Sequence, residues 1–148
     1  MHPYTYRIRF LLIHPTMNFS KIRDELTSVP GLNSGRPMNF GEERFSHKGE
    51  KLEGTYFDSR WGFDFETSDE WRKSEDQTAS NSINEILERL EPHKQRFNNL
   101  AKSGCDIELI LVIGVESNTG EVLKPELLRR LSEFNISLGL DLYPPDKT

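Results

Sequence analysis

The side chains best suited to hold a transition metal are four histidines, His2, His14, His47 and His93, and a single cysteine, Cys105. Their spacing builds no site: there is no HExxH pattern or close pair, and one thiolate cannot make the usual zinc centre. GxxxxGK[ST] and GxGxxG are also absent, so nothing cradles a phosphate or a dinucleotide. No metal or cofactor is expected. Cys105 follows the end of a predicted helix, where the dipole disfavours a thiolate, so it reads as core packing rather than as a nucleophile. The carboxylates Asp58, Asp64 and Glu66 share one face of a predicted strand. Asp58 and Asp64 lie about 20 Å apart along an extended chain, too far for a glycosidase-type acid and base, while Asp64 and Glu66 lie roughly 7 Å apart. A solvated strand face accounts for them, and no catalytic residue is assigned.

The same residues read differently as a binding surface. If helices cover one side of a sheet, the other side collects Arg7, Arg9, Tyr56, Asp58, Arg60, Asp64, Glu66, Asp106, Glu108, Asp141 and Tyr143. These form either a lattice of cross-strand ion pairs or a docking face, since Tyr and Arg are the types enriched at binding hot spots. Residues 58 to 76 hold Asp58, Asp64, Glu66, Asp69, Glu70, Glu75 and Asp76 against Arg60, Arg72 and Lys73, a local balance of -4. Within this acidic stretch Trp71 has no periodic apolar neighbours and is either a clip onto the core or an exposed anchor. The expected partner-binding set is Tyr56, Asp58, Arg60, Asp64, Glu66, Asp69, Glu70 and Trp71. An acidic patch with an aromatic anchor suits a basic protein partner, because complementary charge speeds encounter and selects the partner.

The elements that must position these residues follow from periodicity. Tyr4 to His14 alternates as a strand and stops at Pro15. Asn18 or Ser20 caps a short helix carrying Phe19, Ile22, Leu26 and Val29, closed by Pro30-Gly31. Leu32 to Gly54 reads as a long loop or an irregular strand with a turn. From Thr55 a second strand turns Phe57, Ser59, Trp61, Phe63 and Phe65 inward. After a polar connection, Ser82 with Glu85 makes a capping box for a helix with Ile83, Ile86, Leu87 and Leu90 inside. Pro92 predicts a kink or a second short helix, which carries Phe97 and Leu100 and ends at Gly104. Cys105 to Glu116 is the clearest strand. Pro125 starts a last helix carrying Leu127, Leu128, Leu131 and Phe134, and Asn135 ends it in the left-handed conformation. A final strand turns Ile136, Leu138, Leu140 and Leu142 inward before Pro144-Pro145. The expected fold is α+β: a ferredoxin-like βαββαβ core with an added C-terminal αβ, a mainly antiparallel sheet with helices on one face, in one domain spanning 1–148.

Composition narrows the classes. The 148 residues are 34% hydrophobic, 29% charged and 10% aromatic, with mean hydropathy -0.65. No stretch approaches the roughly 20 apolar residues of a membrane span, and the aromatic content argues against disorder. A net charge of -5 argues against nucleic acid, whose phosphates call for a basic excess. The lone cysteine and an N-terminus without a signal-peptide pattern lead to the expectation of a reducing, cytoplasmic setting.

With the elements placed, the chain resembles the bacterial domain-of-unknown-function family 4279. The matching features are the N-terminal strand and short helix leading to Pro30-Gly31-Leu32, a glycine and basic loop, Trp61, and the helix Ile86-Leu87-Glu88-Arg89-Leu90-Glu91-Pro92. The strand before Gly114 and the ending Ser137-Leu138-Gly139-Leu140-Asp141-Leu142-Tyr143 complete them. The resemblance implies a fold and a bacterial origin, with no catalytic residues to carry over, and small families of this kind often sit beside toxin genes as immunity proteins. The expected function is a non-enzymatic immunity protein that neutralises a basic toxin domain by direct binding. The alternative is a small-molecule binding or sensing domain, or an enzyme with an unfamiliar site, where the Leu32 to Gly54 loop folds near Arg36, Arg44 and Trp61. A homodimer joined through the sheet is the third arrangement.

Overall fold

The computed structural model describes residues 2–65 and 71–144. Strict alternation makes β1 (Thr5–His14) the centre of the sheet, with Tyr6, Ile8, Phe10 and Leu12 buried on one side. The remaining strands are β2 (Leu32–Ser34), β3 (Glu43–Phe45), β4 (Lys51–Thr55), β5 (Ser59–Phe65), β6 (Arg72–Lys73), β7 (Asp106–Gly114) and β8 (Ile136–Tyr143). The main sheet runs β2-β5-β1-β7-β8, with β6 beside the start of β1. Every pairing in it is antiparallel except β7 with β8.

Among the described residues four α-helices accompany the sheet: α1 (Arg23–Thr27), α2 (Ala79–Leu90), α3 (Lys94–Lys102) and α4 (Pro125–Glu133). Ile83, Leu87 and Leu90 of α2, Phe97 and Leu100 of α3 and Leu127 and Leu131 of α4 join the inward residues of the strands in one apolar core. The fold is therefore α+β, with a mainly antiparallel sheet and the helical core on one face. No helix among the described residues is long and apolar enough to cross a membrane.

Several local expectations meet the geometry directly. Asn18 caps a 3-10 turn (Phe19–Ile22) by accepting from the Ser20 N–H, and α1 follows. Pro92 sits in a 3-10 turn that separates α2 from α3. Gly104, at φ 96°, closes α3, and Asn135, at φ 57°, ends α4 in the left-handed region where its short polar side chain is tolerated.

Others are corrected. The helix α2 starts earlier than the Ser82/Glu85 box predicts: Thr78 is its cap, accepting from the Asn81 N–H at 3.2 Å. Ser82 is instead buried within the helix, its hydroxyl 2.5 Å from the Tyr6 hydroxyl, which also donates to the Gln77 carbonyl at 2.9 Å. The capping pattern misled because a serine near a helix start serves equally as a buried hydrogen-bond partner. The stretch from Leu32 to Gly54 takes the second of its two expected forms, irregular strand with a turn rather than loop: β2 joins β5, and β3 with β4 form a two-stranded hairpin beyond it. Phe57 does not turn inward but stands 83% exposed, because the chain breaks register between β4 and β5. Leu140 and Leu142 lie on the core side of β8 yet are 62% and 61% exposed. The reason is length: nine helical residues of α4 rise about 13 Å while eight strand residues of β8 extend about 26 Å, so the helix covers only the first half of the strand.

His14 ties β1 to two other segments. Its Nδ1 accepts from the N–H groups of Thr16 and Met17 at 3.0 and 2.8 Å, and its Nε2 lies 2.8 Å from the Ser103 carbonyl. A carbonyl only accepts, so Nε2 carries the proton. Imidazole 15N shifts should therefore report the Nε2–H tautomer, and an Nδ1–H tautomer would contradict this network.

Candidate functional site

The strand register fixes which side chains share the sheet face away from the helices. Arg9 stands opposite Asp64 on β5 and Ile110 on β7, Arg7 opposite Val112, and Ile13 between Arg60 and Asp106. Arg9 and Asp64 form a cross-strand ion pair at 3.6 Å, and Asp64 also faces Asn33 of β2. The centre of this face is not purely polar, since Leu11, Ile13 and Ile110 are half-buried and Val112 is buried.

The predicted partner-binding residues separate into two clusters with the Arg9–Asp64 pair between them. At one end, Arg60 donates to both carboxylate oxygens of Asp58, from Nε at 3.1 Å and Nη2 at 3.2 Å. The fork geometry preorganises both side chains. The hydrogen bond to Asp58, aided by the nearby charge of Glu108, holds the Arg60 guanidinium above its ordinary pKa against a smaller desolvation effect. Both groups remain partly solvated, so the pair itself contributes at most about 1 kcal/mol to folding. At the other end, the Arg7 guanidinium lies 4.5 Å from the centre of the Trp71 ring, and Trp71 meets Tyr143 edge to face at 6.1 Å.

Trp71 is thus a half-buried clip, and it packs on the outer sheet face rather than into the core. Gly114 lies beneath it: a Cβ there would touch the ring at an ordinary 3.7 Å but would come within 2.5 Å of the Thr5 hydroxyl, so it is Thr5 that a side chain at this position would crowd. Arg7 and Ile13 are six residue steps apart on β1, so the two clusters stand about 20 Å apart on one face. Glu66, Asp69 and Glu70 lie outside the described residues.

Tyr56 is placed elsewhere. It lies beside the β3–β4 hairpin, where its hydroxyl accepts from the Phe45 N–H at 3.4 Å and its ring lines a cleft of about 670 Å³ with Arg36, Met38, Glu42, Phe45 and His47. Arg44 donates to the Glu53 carbonyl within the hairpin at 3.2 Å. Trp61, expected near this cleft, is fully buried: it packs on Phe19 and Phe63, and its indole N–H donates to the Gly35 carbonyl at 3.0 Å.

The residue missed by periodicity is Phe57. It follows Tyr56 and precedes Asp58, so the most exposed large apolar side chain described in the chain stands next to the braced Asp58–Arg60 pair. Phe40, Phe45 and Met38 of the same arm are also exposed. Phe57 continues the alternation of β5 in sequence, so the only local signal of its exposure is the pair of adjacent aromatics Tyr56-Phe57, which cannot both face inward on one strand.

Residues 24–145 match the model of a family described as Domain of unknown function (DUF4279). The chain belongs to that family. The matched span of this DUF4279 chain begins at Asp24, so the central strand β1, with Arg7 and Arg9, precedes it, while Asp58, Arg60, Trp71 and Tyr143 fall inside it. No curated protein and no solved structure matches the chain.

Among the described residues of this DUF4279 chain, no group of three or more His, Cys, Asp or Glu side chains is placed to hold a metal ion. Cys105 is buried at the foot of β7, and burial pushes its thiol up to about 11 from an ordinary 9.0, a backbone hydrogen bond with Ile13 opposing. A thiol kept protonated and covered is a poor nucleophile. Alkylation of the folded chain near neutral pH should accordingly be far slower than alkylation in denaturant. The sign of the linkage also follows: the raised pKa stabilises the fold below pH 9 and that contribution is lost as pH rises toward 11, so alkaline melting should be lower for the native chain than for Cys105→Ala relative to their difference at pH 7. Equal labelling rates in folded and unfolded protein would overturn the assignment.

Proposed function

We propose that this chain is a non-enzymatic protein-binding module of the immunity type, which neutralises a toxin domain by covering its active site or holding it inactive. The observation that carries the reading is the exposed Phe57 beside the bidentate Asp58–Arg60 pair, an apolar anchor in the β4–β5 connection with a preorganised charged rim fixed to β5 through Arg60. Interfaces concentrate their energy in such groupings, with an aromatic at the centre and polar groups excluding water around it.

Size decides how much more of the surface takes part. Five strands about 4.8 Å apart and a usable length of about 20 Å give the open face roughly 400 Å², half of the about 800 Å² that each partner buries in a stable complex. The hairpin arm, with Phe40 and Phe45 exposed, supplies the remainder, so the partner would contact both face and arm. The net charge of -5 favours a basic partner by speeding its encounter.

The test is binding of the purified chain to the product of the adjacent gene, with growth rescue on co-expression. Tight binding and rescue are expected, and neither binding nor protection would refute the proposal. A second reading, small-molecule binding, draws on the hairpin cleft, whose volume falls in the range of ligand sites and whose Arg36, His47 and Tyr56 are polar. Under that reading Phe45→Ala abolishes ligand binding while leaving any protein complex intact.

A further inference from the structure

The two edges of the main sheet are protected very differently. The β2 edge is three residues long and is followed by Pro37. The β8 edge runs for eight residues, Ile136–Tyr143, and among the described residues β8 pairs only with β7. It carries no proline, lysine or arginine, the devices by which natural edge strands avoid one another. Its single charge is Asp141.

Hydrogen-bond parity shows what this edge offers. Tyr143 gives its carbonyl to the Val115 N–H at 2.8 Å, so the backbone groups of Tyr143 and of residues two and four before it point toward β7. Leu138, Leu140 and Leu142 therefore direct their N–H and C=O groups to the open edge. The same three leucines project on the core side of the sheet, where α4 has run out, and this is why Leu140 and Leu142 are exposed. Unpaired backbone and uncovered apolar side chains coincide on one strand.

We propose that β8 pairs antiparallel with β8 of a second copy of this chain, with Leu140 on the two-fold axis. Directly opposed residues point to the same face, so a symmetric pairing allows only registers that set like-facing residues against each other. With Asp141 on the axis the two carboxylates would meet, an unfavourable like-charge contact. With Gly139 on the axis, Tyr143 falls outside the ladder and Leu142 meets Ile136, which α4 already covers. With Leu140 on the axis, Leu140 meets its own copy, Leu142 meets Leu138, Asp141 meets Gly139, and Tyr143 meets Ser137. The strand's only charge then faces a residue without a side chain, and each exposed leucine is covered by a leucine. The Phe57 surface and the β8 edge lie at opposite sides of the strand order, so a dimer leaves two copies of the partner-binding surface free.

The register makes the test specific. Light scattering across a concentration series should give twice the 17.2 kDa chain mass at high micromolar concentration, falling toward 17.2 kDa on dilution. Leu140→Lys should hold the mass at 17.2 kDa with unchanged circular dichroism, since the side chain it replaces is mostly in solvent. Opposed residues of a hydrogen-bonded antiparallel pair have Cα atoms about 5.5 Å apart, within disulfide reach. Leu140→Cys should thus cross-link to itself under mild oxidation. Leu142→Cys should not, but a mixture of Leu142→Cys with Leu138→Cys should, and buried Cys105 takes no part. A mass of 17.2 kDa at every concentration, a dimer indifferent to Leu140→Lys, or self-linking of Leu142→Cys as readily as Leu140→Cys would overturn the proposal.

Discussion

Replacing Trp61 by alanine should cost about 3–5 kcal/mol, the range for deleting a large buried aromatic, and lower the melting temperature by roughly 10 °C in a chain of this size. The side chain is fully buried, its ring centre 4.4 Å from that of Phe63 and 5.9 Å from that of Phe19, so truncation leaves a cavity between β5 and the Phe19 turn that neither can fill. A second loss is local. The indole N–H donates to the Gly35 carbonyl, and the Gly35 N–H donates to the Gly62 carbonyl at 3.1 Å, so Trp61 helps pin the chain beyond β2 against β5. Below that pin the chain is held by the Met38–Arg60 backbone pair, at 2.8 Å in both directions, and by Asn39, which accepts from the Phe19 N–H and donates to Ser20 and Glu42. Hydrogen exchange in the Trp61→Ala chain should consequently rise first between residues 35 and 57, before the rest of the sheet. Trp61→Phe restores most of the volume but not the N–H, and should recover stability while leaving Gly35 and its neighbours quick to exchange. Uniform acceleration across the sheet in both variants would show that Trp61 is only core volume.

How far the sequence carried depended on whether one periodicity governed each segment. Buried β1, β5 and β7 alternate cleanly, and α2, α3 and α4 carry apolar stripes, so class, sheet and helical face were legible. The arm was not. Between Leu32 and Asp58 the strands are short and the two of the hairpin are exposed on both sides, so no apolar alternation marks them, and their order rests on backbone bonds and the side chain of Asn39. The outer end of β8 failed for the opposite reason: Leu138, Leu140 and Leu142 alternate perfectly, but periodicity reports which way a side chain points and not whether a helix is long enough to cover it. Of the expected outer-face residues, Arg60 and Asp64 lie where alternation puts them because strand parity fixes both within β5, and Asp58, just ahead of the strand, joins them through its two hydrogen bonds from Arg60. Tyr56 and Phe57 do not follow the alternation, since parity is lost where β4 ends and β5 begins.

Phe57→Ala is the substitution that separates a binding role from a folding one. With 83% of its surface in solvent, the side chain contributes little to the core, and its removal should change monomer stability by no more than about 0.5 kcal/mol. If Phe57 is the central anchor of the proposed complex, the same change should cost about 2 kcal/mol or more of binding, roughly a 30-fold rise in Kd, expressed chiefly as faster dissociation. Arg60→Ala should behave differently. It releases Asp58 from its two hydrogen bonds and removes a positive charge from the rim, so its effect should fall on the association rate and its salt dependence. Combining the two should give a loss different from the sum, because Phe57 and Asp58 are chain neighbours and Asp58 is held by Arg60. A Phe57→Ala chain that binds its partner as tightly as the native one would move the interface away from this corner, to the Arg7–Trp71–Tyr143 cluster about 20 Å along the same face, where Trp71→Ala is the corresponding test.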